Sequence, residues 1–401
     1  MDTRTDLTNE FDPTYVETFD NTHEYYTDLR NNTPVAHSDK FGGFWAVFKY
    51  DDIIRVQTES VFSTSEKNVV PPATRNQGKR PPLHFDPPEH DMYRRPITPV
   101  FRKSRMDALE PDLRRFANEL LDPLVAQSDF DFTKDFAEYF AALSFGLILK
   151  LPLEKMMQSR KVQVEYYRSQ LAMDKPKVEA ASDELYAIAR ELVDDRRENP
   201  GDPDEDLISA LILAGDRGPV ISDDMVVASI RQFLSASQAA PGAVLGSVIV
   251  HLSRDQELQS RLREDPALIP DAIEEFLRLY APYRVFARAP IRDVEIGGRI
   301  VLAGEPIAMM FPSANRDEAI FENPHEFQID RKPNKHIAFG RGPHRCPAAA
   351  LARAELRIAM EAILEKTASI ELAGEVVMSG WLEFGPSSTP IRVTPATSHP
   401  R

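Results

Sequence analysis

Residues 336–364, HIAFGRGPHRCPAAALARAELRIAMEAIL, constrain this chain more than any other stretch. The second half repeats apolar residues at helical spacing, so a helix is predicted to start just after the cysteine. The first half holds an aromatic-Gly-x-Gly loop in which Gly340 and Gly342 permit a tight turn and close backbone approach. Cys346 is the one cysteine of the chain. An intramolecular disulfide and a multi-cysteine metal site are therefore excluded. A lone cysteine is most often a small buried apolar residue. At a helix N-terminus, however, the dipole and the free N–H groups favour thiolate. His344 and Arg345 add donors beside it. A thiolate held in this way can ligate iron.

Elsewhere the chain reads as mostly helical. Segments 104–127, 135–152, 177–199, 204–215, 223–238 and 270–282 carry apolar residues three and four apart. Strand-like pieces are short: 43–50, a hairpin around Gly297-Gly298 within 293–311, and a β region over 369–395. Residues 69–90 contain three Pro-Pro pairs and read as a long loop. The expected fold is mainly α with small β-sheets, a helical lobe and a smaller β-rich lobe in one domain over 1–401. The formal charge of −15 argues against general nucleic-acid binding. Residues 1–40 are polar and resemble neither a signal peptide nor an anchor, and no apolar run reaches the length of a membrane span. A soluble, cytoplasmic protein without nucleic-acid or membrane partners is expected.

Phe339-Gly340-x-Gly342-x-His344-x-Cys346, followed by Leu351-Ala352-Arg353, resembles the haem-ligand signature of the cytochrome P450 family, in its soluble bacterial form. The resemblance implies haem b (iron protoporphyrin IX) with Cys346 as the iron ligand, buried between the two lobes. Glu275 and Arg278 look like the family's Glu-x-x-Arg pair, and Arg331 within NPHEFQIDR looks like its third member. His90, Arg94, Arg288 and His344 stand where the family has contacts to the haem propionates. Arg and His donors suit carboxylates. By the same resemblance Val69, Val70, Val285, Phe286 and Leu382 would line a pocket for a medium-sized apolar substrate.

Residues 231–252 resemble the long helix across the oxygen-binding face. Family members usually place an acid and an alcohol there, which help deliver protons to bound dioxygen. The corresponding stretch here is Ala236, Ser237, Gln238, Ala239 and Ala240, with Ala239 and Ala240 at the acid and alcohol positions. Neither can relay a proton. Pro241 follows and deprives the Ser237 carbonyl of its helical donor, at about 3 kcal/mol for an uncompensated interior proline. Pro347, directly after the cysteine, lacks an N–H that could point at sulfur.

Three functions are consistent with these residues. The first is a monooxygenase using dioxygen and electrons from a ferredoxin-type donor with an NAD(P)H-dependent reductase, in secondary metabolism. The second is a haem-thiolate enzyme that uses peroxide or catalyses a rearrangement, dehydration or cyclisation. The third is a haem-binding module without catalysis.

Overall fold

Apolar periodicity sets the helices, and polar caps and prolines end them. The computed structural model describes residues 9–15, 18–73, 77–236 and 239–396. The first helices are α1 (Thr22–Asn32), α2 (Tyr50–Thr58), α3 (Glu89–Ile97), α4 (Lys103–Gln127), α5 (Glu138–Leu149), α6 (Leu153–Leu171) and α7 (Lys175–Glu198). They are followed by α8 (Leu207–Ile212), α9 (Asp223–Ala236), α10 (Ala239–Arg254), α11 (Gln256–Glu264), α12 (Ile269–Leu279), α13 (Phe311–Ala314) and α14 (Ala349–Lys366). Aspartates cap several N-termini. Asp206 accepts from the N–H groups of Ile208 and Ser209, and Asp255 from that of Leu258.

The strands are β1 (Val35–Ser38), β2 (Phe44–Val47), β3 (Phe62–Ser63), β4 (Asp129–Asp131), β5 (Val285–Pro290), β6 (Val294–Ile296), β7 (Arg299–Val301) and β8 (Ile307–Met310), then β9 (Thr367–Leu372), β10 (Val377–Met378), β11 (Pro386–Ser388) and β12 (Pro390–Pro395). One sheet has the order β1-β2-β8-β5-β3, with β2 and β8 parallel. A second, β4-β12-β9, brings the chain's last strand back to the end of α4. The Gly297-Gly298 hairpin is β6–β7, with both glycines at positive φ.

The main core lies among α4, α5, α7, α9, α10, α12 and α14. Buried residues such as Leu234, Phe276 and Ile363 each contribute roughly 1.5–3 kcal/mol by leaving water. The helix expected over 231–252 is described in two parts, α9 up to Ala236 and α10 from Ala239. Together they form a stretch long and apolar enough to cross a membrane, which the sequence expectation did not allow for. Three-quarters of its most apolar window is buried inside the protein.

Candidate active site

The loop before α14 is built around its two glycines, each with φ of 69°. Its ends are joined by the Cys346 N–H donating to the Phe339 carbonyl at 2.8 Å. Gln57 on α2 holds the middle, its Oε1 accepting from the Arg341 N–H at 2.5 Å. At Gly342 a Cβ would lie 2.8 Å from the Gln57 carbonyl oxygen, so the close approach itself requires glycine. Asn315 Oδ1 accepts from the Ile337 N–H and fixes the entry to the loop.

Cys346 lines a cavity of about 310 Å³. Burial has the largest influence on its thiol and pushes the pKa up; the Ala348 N–H and the charges of Arg94, Arg345 and Arg353 pull the other way. The helix-terminus argument alone therefore overstated the thiolate: in the bare site desolvation wins, and metal ligation is what deprotonates such a sulfur. Ala348 supplies an N–H to sulfur while Pro347 cannot.

His90, Arg94, Arg288 and His344 all line the same cavity. The imidazoles of His90 and His344 meet edge to face at 4.5 Å, and the Nε2 atom of each is buried without a partner. Burial, followed by Arg288 and His90, pulls His344 down to about 3. Burial also pulls Arg288 down to about 10, and no carboxylate among the described residues forms an ion pair with it. Arg94 donates to the Arg345 carbonyl at 2.8 Å. Orphaned donors and unpaired cations gathered beside a cysteine fit a ligand that brings its own carboxylates and its own metal. Haem is such a ligand.

Beneath the loop, Glu275 is 1% exposed and Arg278 is fully buried. Glu275 takes Arg278 at 2.7 Å, Arg331 at 3.0 Å, Asn334 at 3.1 Å and the Gln328 N–H at 3.0 Å. Burial pushes this carboxyl up, but Arg278, Gln328 and Arg331 outweigh it and hold it below its ordinary value. Glu275, Arg278 and Arg331 thus form one satisfied network tying α12 to the segment before the loop.

Ala236, Ala240 and Pro241 line the same cavity, and Ala239 does not. Ser237 and Gln238 lie outside the described residues. Side chains from other elements reach the carbonyls at the end of α9. Gln163 and Tyr167 of α6 both donate to the Ser235 carbonyl, Tyr167 at 3.3 Å. Tyr283 donates to the Ala236 carbonyl at 3.2 Å. Of the expected substrate contacts, Val69 and Phe286 line the cavity. Val70, Val285 and Leu382 do not; they pack with Phe44, Phe48 and Trp381 in a separate core cluster. Strand alternation is the reason at Val285 and Phe286, which neighbour each other in β5 and face opposite sides.

Gln57, Tyr167, Tyr283 and Arg231 were not singled out from sequence. Only Arg231 left a signal: it stands four residues after Val227 and three before Leu234, on the apolar stripe of α9.

A cysteine-ended loop, a group of buried cations and imidazoles beside it and a cavity lined by α9 and α10 fit a haem-thiolate enzyme. The comparisons agree. The sequence model described as Cytochrome P450 matches residues 153–368. Nocardicin C N-oxygenase of Nocardia uniformis is 31% identical over 92% of this chain and 94% of its own. Mycinamicin IV hydroxylase/epoxidase of Micromonospora griseorubida is 30% identical over 91% and 94%. The crystal structure of CYP109E1 from Bacillus megaterium in complex with testosterone superposes with a TM-score of 0.84 at 28% identity, covering 94% of this chain and 99% of that one. The chain belongs to the cytochrome P450 family and is a haem-dependent monooxygenase with the mainly α fold expected.

Proposed function

We propose that this enzyme uses haem b and dioxygen to hydroxylate or otherwise oxidise a medium-sized, largely apolar small molecule of secondary metabolism, without an acid–alcohol proton relay. The reading takes 1–401 as one catalytic domain in the cytoplasm, a setting compatible with a lone unpaired cysteine. The observation that carries it is one cavity lined both by Cys346 and by Ala236, Ala240 and Pro241 of α9 and α10.

Bound haem would supply dioxygen activation at its thiolate-ligated iron. The chain's own residues do the rest. Arg288, Arg94, His90 and His344 would hold the two propionates. Ala348 donates to sulfur and Pro347 does not, which leaves the thiolate a stronger electron donor than two N–H groups would. Ala239 and Ala240 hold no proton to give, so an ordered water or the substrate supplies it. Val69 and Phe286 give the substrate apolar contact.

Electrons would come from a ferredoxin-type donor served by an NAD(P)H-dependent reductase. Arg102, Arg341 and Arg345 are exposed and give the face behind the cysteine its positive charge. Lys103 and Arg353, which the same face would include, are paired with Asp107 and Glu274.

Ala239, Ala240 and Pro241 favour a second reading, in which peroxide is used or a rearrangement, dehydration or cyclisation is catalysed. Two measurements decide. The reduced carbon monoxide difference spectrum should carry the thiolate signature and lose it in Cys346→His; retention in the variant refutes the assignment. Product formation should consume NAD(P)H and dioxygen; product formed without either supports the second reading.

A further inference from the structure

Arg231 is a buried cation in the cavity with no anionic partner among the described residues. It is 1% exposed and lines the cavity from α9. Its Nη1 donates to the Ser235 hydroxyl at 2.8 Å, and its Nη2 reaches the Ser182 hydroxyl at 3.4 Å. The guanidinium lies over the Tyr166 ring at 4.7 Å and near the Tyr186 ring at 5.9 Å. Its Nε has no partner. Hydroxyls and ring faces soften the burial of a cation but do not neutralise it.

Two other arginines in the described residues are as deeply buried, and both have carboxylates. Arg30 pairs with Glu318 at 2.7 Å, and Arg278 with Glu275 at 2.7 Å. Arg231 instead feels a second cation: Arg80, also buried, lines the same cavity and acts repulsively on it. Burial and Arg80 bring Arg231 down to about 10, so it remains charged at neutral pH. The hydroxyls of Tyr166 and Tyr186 beside it are buried without hydrogen-bond partners.

The haem-binding pole does not account for this group. Arg231 reaches the cavity from α9 beside Tyr166 of α6 and Tyr186 of α7, whereas Arg288 enters from β5 and His344 from the loop before α14. The cavity therefore has two cationic regions carried by different elements, and the proposed propionate contacts belong to only one of them.

We propose that the substrate carries a carboxylate that pairs with Arg231, with its apolar body running toward Cys346 past Phe233, Val244 and Phe286. The planar guanidinium fork binds a carboxylate through parallel charge-assisted hydrogen bonds, and its free Nε–H is one of the donors such a pair uses. Tyr166, which also lines the cavity, adds a further hydroxyl donor at the same end. Pairing removes the penalty of an uncompensated buried charge, so affinity is tied to the ionised headgroup. This inference rests on the monooxygenase reading and names the class of its substrate.

The test titrates haem-loaded protein calorimetrically at neutral pH with decanoate and phenylhexanoate, and with the primary amides of the same skeletons. At least one acid should bind about tenfold or more tighter than its amide, a difference of about 1.4 kcal/mol. Arg231→Gln should erase that preference, and Arg231→Lys, which keeps the charge, should retain part of it. The Lys variant also serves where the Gln variant does not fold. Equal affinities for acid and amide, failure of both acids to bind, or a preference unchanged in both variants overturns the proposal. A parent protein lacking the thiolate carbon monoxide spectrum defeats the monooxygenase reading. Acid–amide parity in a protein that shows that spectrum defeats this inference alone.

Discussion

Replacing Glu355 by Gln should change the pH dependence of stability more than its value at acid pH. Glu355 sits on α14, is 2% exposed, and borders the cavity. No cation among the described residues pairs with it. Burial pushes its carboxyl from 4.5 up to about 8, opposed only by a hydrogen bond with Ser144. The folded protein thus holds a proton that the unfolded chain releases between pH 4.5 and about 8. Across that window the native state binds more protons than the unfolded state, so stability falls as pH rises. A displacement of about 3.5 units at 1.36 kcal/mol per unit sets the full effect at no more than about 5 kcal/mol. Gln has similar shape and no proton to lose. An unfolding entropy of about 2.1 cal/mol/K per residue gives roughly 0.8 kcal/mol/K for 401 residues. The full effect then corresponds to about 6 °C in Tm. The assay is circular dichroism melting of parent and Glu355→Gln holoproteins, at one scan rate, from about pH 5 to about pH 8.5. The variant's Tm relative to the parent should climb steadily with pH, by several degrees. A difference that stays flat, or that shrinks as pH rises, refutes the reasoning.

Two substitutions probe the support of the cysteine loop. Glu275→Gln leaves fully buried Arg278 without its counter-ion, which should cost about 3–5 kcal/mol, lower the melting temperature and reduce the ratio of Soret to protein absorbance. Gly342→Ala places a Cβ 2.8 Å from the Gln57 carbonyl at a φ of 69°; far-UV circular dichroism should stay close to the parent while the haem-bound fraction and the thiolate carbon monoxide signal fall.

What could be read from sequence followed from local spacing. The helix after Cys346, the α12 pair Glu275–Arg278 and the β6–β7 hairpin all place their key residues within a few positions of one another, where periodicity and turn chemistry act. The support of the loop did not, because Gln57 reaches Arg341 from 284 residues away. The surroundings of Pro241 were half legible: the proline announces a lost helical donor, but the side chains that reach the carbonyls of Ser235 and Ala236 come from α6 and from Tyr283. Charge shows the same divide. Arg231 interrupts the apolar stripe of α9, and Arg288 interrupts a buried strand, so both are visible as buried cations in the making. Arg278 looks no different on its helix. Whether such a cation finds a carboxylate within the chain is decided by tertiary structure alone. Arg278 finds one in Glu275; Arg231 and Arg288 find none among the described residues, and both line the cavity that holds Cys346. A folded chain retains an unpaired buried cation at considerable cost, and a ligand that brings the missing anion removes it. The argument that supports propionates at Arg288 supports, without an additional premise, the proposed substrate carboxylate at Arg231.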